Sequence, residues 1–143
     1  MPQLKKSLIE LQCEMVAERA YVNPKDISWL QYDILIQLEK HKHILPSNLS
    51  IVLGISRTKL SKALKSLKSL GYIKQLPNQL DGRELYTSIT SDGQNLLTSI
   101  ESRHTILYEV ANMSLSKQEQ KEFACLANKL SSALRKERVT AHE

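Results

Sequence analysis

Hydrophobic residues recur at intervals of three and four along most of this chain, and the places where that rhythm stops mark its turns. Leu4, Leu8, Leu11, Met15 and Val16 alternate with Lys5, Glu10, Glu14 and Glu18, which predicts an amphipathic first helix ending near Tyr21. Ile9, Cys13 and Ala17 add a second apolar row, so its buried face is wide. Asn23-Pro24 breaks it, because the residue before a proline resists helical geometry. Ser28 and Gln31 read as a capping box for a second helix that carries Leu30, Ile34, Leu35 and Leu38 inward as far as His41-Lys42-His43. Pro46 opens a short third helix through Leu53, since its missing N–H would be unpaired at the first helical position anyway. Gly54-Ile55 makes a tight turn. The fourth helix runs from a cap at Ser56 to a stop at Gly71, with Leu60, Ala63, Leu64, Leu67 and Leu70 in one stripe and Thr58, Ser61, Lys62, Lys65 and Ser69 opposite.

After Gly71 the period falls to that of a strand. Tyr72–Leu76 and Glu84–Ile89 are rich in β-branched and aromatic residues, and the turn residues between them include Asp81-Gly82-Arg83, which predicts a β-hairpin tipped by Arg83. Thr90 or Ser91 then caps a long fifth helix through Leu96, Leu97, Ile100, Ile106 and Leu107 to about Ala111. Ser116 and Glu119 form a second capping box, opening a last helix striped by Phe123, Leu126, Ala127, Leu130 and Leu134. The expected fold is mainly α with a small β-hairpin wing: six helices, the third and fourth making a helix-turn-helix whose second helix suits a DNA major groove. The whole chain, 1–143, reads as one domain, with a winged helix-turn-helix module at 28–90 and dimerisation helices at 1–22 and 91–143. The first, fifth and sixth helices carry apolar stripes that one small module cannot cover, so a second copy is the expected cover.

Charge sharpens this picture. Between Ser47 and Thr90 lie seven Lys/Arg and two acids, while the remainder of the chain balances, so the whole net charge of +5 sits on the helix-turn-helix and hairpin. That is the footprint of a face that meets nucleic acid. No apolar run approaches the length of a membrane span and no signal-peptide pattern opens the chain, so a cytoplasmic location is expected with no membrane partner. Cys13 and Cys125 lie far apart without a Cys-x-x-Cys spacing, and reduced thiols are expected. His41, His43 and His104 have no metal-ligand spacing, and no nucleophile, paired carboxylates or phosphate loop stands out, so neither an enzyme nor a cofactor or metal is expected.

Ser28…Gln31-Tyr32, Leu49-Ser50…Leu53…Ser56, Leu60…Leu64…Leu67…Gly71-Tyr72-Ile73 and Asp81-x-Arg83 followed by Ile89-Thr90-x-x-Gly93 together resemble the MarR family of winged-helix transcription regulators. The resemblance implies a homodimeric, sequence-specific double-stranded-DNA-binding regulator, commonly a repressor on a pseudo-palindromic promoter operator, relieved by a small ligand or another signal. Arg57, Thr58, Ser61, Lys62 and Lys65 are the expected groove residues, and Ser47 and Asn48 the expected phosphate donors at the start of the third helix. Arg83 resembles the family arginine that enters the minor groove, oriented by Asp81. Trp29, Tyr32 and Tyr108 are candidates for an effector pocket of the kind family members use. Cys13 has two readings: a small buried hydrophobe in the first helix, or the thiol of a redox-sensing regulator. A winged helix kept as a protein-interaction module is a further alternative, which the cationic face disfavours.

Overall fold

In the computed structural model, which describes residues 2–77 and 85–142, the order is α1 (Gln3–Tyr21), α2 (Trp29–Lys40), α3 (Pro46–Leu53), α4 (Arg57–Ser69), β1 (Ile73–Pro77), β2 (Leu85–Ile89), α5 (Ser91–Arg103), α6 (Ile106–Ser114) and α7 (Lys117–Thr140). The caps fall where the hydroxyl residues stand. Ser28 accepts from the Gln31 backbone while Gln31 returns a bond to the Ser28 N–H, and Ser116 and Glu119 repeat this box at the head of α7. The Ser56 hydroxyl accepts from Lys59 N–H and that of Thr90 from Gly93 N–H, satisfying first-turn donors of α4 and α5.

Seven helices are described, not six, because the expected fifth helix is two. Its apolar stripe needs a hydrophobic residue near 103 or 104 to join Ile100 to Leu107, and Arg103 and His104 stand there instead. Arg103 turns away to pair with Asp26 at 2.7 Å, and the His104 ring packs on Trp29 with centroids 5.7 Å apart. His104 leaves helical geometry at φ −117°, ψ 70°, and α6 restarts after Thr105.

β1 and β2 pair antiparallel, with Ile73 opposite Ile89 and Pro77 opposite Leu85. The link between α2 and α3 adds to this pair: Ile44 N–H donates to Thr87 O at 3.1 Å and Thr87 N–H to Ile44 O at 2.8 Å, an antiparallel bridge that the polar segment around it concealed. The core is Ile27, Ile34, Leu35, Leu38, Ile44, Leu49, Leu60, Leu64, Leu67, Ile73, Leu97 and Ile100. It therefore belongs to α2–α5, β1 and the links that lead into α2 and α3. Residues of α1, α6 and α7 contribute nothing fully buried, and Leu4, Leu8, Met113, Leu126, Leu130 and Leu134 stand exposed on them. The wide buried face expected of α1 is thus uncovered within the protomer.

Two glycines join these parts. Gly54, at φ 68°, ends α3 in the left-handed region that a Cβ disfavours, so the chain can turn into α4. Gly93 is needed for proximity: a Cβ there would lie 2.2 Å from Tyr72 O and 2.7 Å from Ile89 Cγ1. The start of α5 is thereby pressed against the hairpin base, where the Thr90 hydroxyl also donates to Gly71 O at 2.7 Å.

Candidate nucleic-acid interface

α4 is fixed from one side only. Leu60, Leu64 and Leu67 bury it against the core, and Arg57, Thr58, Ser61, Lys62 and Lys65 are left exposed together around one shallow concavity. Arg57 sits at its junction with two further clefts. One runs towards the hairpin past Pro46, Ser61, Lys65, Lys68 and Gln75; the other runs along α3 past Ser47, Ser56, Arg138 and His142. Among the described residues no carboxylate lines any of the three. A surface with guanidinium, ammonium and hydroxyl donors and no competing acid attracts a polyanion, and its shape is that of one exposed helix face.

At the start of α3, Asn48 is exposed and Ser47 half-buried, with the Ser47 carbonyl accepting from the Ser50 hydroxyl at 2.9 Å. The N-cap residue Leu45 offers no side-chain bond to the first turn. Backbone donors at a helix start are suited to a phosphate oxygen. Lys59 stays outside the concavity on α4, whereas Lys68 borders the hairpin-side cleft. Arg83 and Asp81 fall in 78–84, outside the described residues.

The expected effector residues separate. Trp29 and Tyr32 meet edge to face at 5.2 Å and line a small cleft with Glu18, Arg19, Val22, His104, Ile106 and Leu107. Tyr108 does not reach it; 68% exposed, it points away because the break at His104 resets the phase of α6. Sequence reasoning missed Arg19 and His104. Arg19 pairs with Asp33 through two 2.7 Å bonds and lies over the Trp29 ring at 5.0 Å, while the indole N–H reaches both Arg19 O and Val22 O at 2.7 Å. The Asp33 bond raises the Arg19 pKa, and burial raises that of the Tyr32 hydroxyl, so the cleft holds a fixed guanidinium beside a neutral phenol. Only the polar gap in the fifth stripe hinted at His104.

Cys13 and Cys125 are both exposed, so the reading of Cys13 as a buried hydrophobe fails within the protomer. His41 lies 3.4 Å from an Arg135 Nη atom and His43 packs on Tyr86. Among the described residues no group of His, Cys, Asp and Glu is arranged to hold a metal, and no helix is long and apolar enough to cross a membrane.

The family model described as MarR family matches residues 25–84. The Salmonella typhimurium multiple antibiotic resistance protein MarR is 30% identical over 83 residues, 58% of this chain and 58% of that protein. The Escherichia coli transcriptional repressor MprA is 28% identical over 102 residues, 71% of this chain and 57% of its own. The chain thus spans little more than half the length of these relatives. Among solved structures, a MarR repressor superposes with a TM-score of 0.75 at 22% identity, covering 91% of this chain and 95% of its own. An E. coli MarR variant complexed with operator DNA gives 0.66 at 24% identity, covering 87% and 91%. At these identities the structural likeness shows the fold, and the fold is shared.

Proposed function

From the match of residues 25–84 to the MarR family model and from the winged-helix fold, we propose that this chain is a MarR-type, sequence-specific double-stranded-DNA-binding transcriptional regulator. It acts in the cytoplasm as a homodimeric repressor on a pseudo-palindromic operator. The observation that carries the reading is the exposed face of α4, where Arg57, Thr58, Ser61, Lys62 and Lys65 gather with no acid among them. A helix held by one apolar stripe and bare along the other can enter a major groove without disturbing the core.

Base discrimination falls to Arg57, whose forked guanidinium matches two acceptors on guanine. Thr58 and Ser61 take base edges or phosphates, Lys62 and Lys65 extend the same face, and Ser47 and Asn48 hold a phosphate at the start of α3. Arg83, steadied by Asp81, reaches the adjacent minor groove. The uncovered apolar faces of α1, α6 and α7 pack against a second copy, which sets two α4 helices about one turn of DNA apart. A small effector occupies the Trp29–Tyr32 cleft, where α1, α2 and the α5–α6 break meet, and shifts that spacing. MprA carries the name of a transcriptional repressor and the MarR variant holds operator DNA, which supports the same roles here.

Selection from a random duplex library, followed by titration of the best site against salt, tests the reading. A short palindrome is expected, with log affinity falling linearly with log salt at a slope near −0.9 for each phosphate contacted. Weak, salt-sensitive binding to every duplex alike would leave a generic basic surface and refute sequence-specific regulation.

A further inference from the structure

The cleft along α3 has a wall that does not belong to the winged helix. Arg138, from the last turn of α7, and His142, in the turn that follows its end at Thr140, face Ser47, Ser56 and Arg57 across it. These turns are held on the module by side chains of the same protomer. Arg135 Nη2 donates to Gln37 Oε1 at 2.9 Å, and Arg138 Nη2 donates to Val52 O at 3.0 Å, meeting a carbonyl at the end of α3 where cations are favoured. Arg138 Cδ also packs beside Gly54, 3.6 Å from where a Cβ would stand. Its Nε is buried with no hydrogen-bond partner among the described residues. A guanidinium seated so firmly beside the helix-turn-helix corner keeps a positive charge there at little further cost in side-chain freedom.

His142 completes the wall. Its Nδ1 lies 2.8 Å from Arg138 O, and facing a carbonyl requires that nitrogen to carry the proton and donate. The opposite nitrogen is then the edge left for another group, and the imidazolium form would offer an N–H there too. Arg135 and Arg138 lie on a side of α7 roughly 110° round from the mean direction of Leu126, Leu130 and Leu134, and His142 follows in the turn beyond Thr140. Through Arg57 the cleft is continuous with the exposed face of α4.

We propose that the C-terminal end of α7 and the turn after it are a further DNA-contacting element, in which Arg138 and His142 in its imidazolium form neutralise a backbone phosphate of the duplex that α4 reads. The inference rests on the DNA-binding reading above and adds to it a contact from outside the winged helix. A phosphate contact fixes position without reading bases, so its loss changes affinity and salt dependence and leaves sequence preference alone.

The test uses the full chain and the duplex it selects. His142→Glu is expected to weaken binding and to flatten the salt slope by about 0.9 for each protomer, with the preferred sequence unchanged, while His142→Lys keeps the wild-type slope. Arg138→Gln should flatten the slope as well, and thermal unfolding reports whether its tie to α3 was needed for folding; the two His142 variants do not touch that tie. Equal slopes and affinities for wild type and His142→Glu would overturn the inference. Inorganic phosphate is the second probe, followed by amide shifts of Ser47 and His142. Phosphate binding that His142→Glu abolishes while the DNA slope stays unchanged would assign the cleft to a free anion and overturn the DNA contact. A wild-type chain that selects no duplex would instead refute the DNA-binding reading itself.

Discussion

Arg57 is the residue on which most of the proposed interface turns. It opens α4 directly after the Ser56 cap, so its backbone is fixed by the Ser56–Lys59 bond, and its side chain borders all three basic clefts. Replacing it with alanine should relax preference at one base position per half-site and cost about 1–3 kcal/mol there, with the fold intact because the position is exposed. A binding profile measured across single-base operator variants checks this, and an unaltered profile would move Arg57 to the phosphates. The same scale shows what a sequence can and cannot tell. Ser28, Ser56 and Ser116 were legible as caps, and Thr90 as one of two neighbouring candidates, because a cap is a local event within four residues. The Arg138–Val52 bond spans 86 residues and was not legible, since nothing near Arg138 distinguishes it from other cations in a final helical turn. Tyr108 was misplaced for a related reason: two non-helical residues upstream were enough to turn it out of the Trp29–Tyr32 cleft.

Among the elements, the junction between the hairpin and α5 is the tightest. Gly93 lies under Tyr72 O and beside Ile89, and Gly93→Ala drives a methyl into backbone that cannot yield as a side-chain end would. The expected loss is about 1–3 kcal/mol, a cost typical of overpacking, read as a lower denaturant midpoint with an unchanged m-value. A midpoint equal to that of the wild type would mean that α5 can lift away from the hairpin freely. Here too the pattern was partly readable. The Ile-Thr-x-x-Gly run marked the junction, and stripes of period 3.6 placed α1 to α4 and α7. The break between α5 and α6 was visible only as missing apolar residues at 103 and 104, and the Ile44–Thr87 bridge left no signal because one residue shows no alternation.

At the scale of the molecule, the core spans 27–100 while three helices outside it keep their apolar faces bare, Leu4 at 70% and Leu126 at 63% exposure among them. A second copy covering these faces would bury the kind of surface that obligate dimers bury. Sedimentation should accordingly give about twice the 16.3 kDa chain mass, and Leu130→Glu, which sets a charge in the middle of the α7 stripe, should yield monomers. A monomeric wild type, or a Leu130→Glu chain that still sediments as a pair, would remove the dimer from the reading. The bare faces also bear on how a cell could use this protein. Where the chain concentration lies below the dissociation constant of the pair, the binding species rises with the square of that concentration, so halving synthesis of a sparsely occupied operator's regulator would cut occupancy about fourfold. A promoter held by such a repressor would respond to its supply as a threshold, without any cooperative contact between neighbouring sites on the DNA.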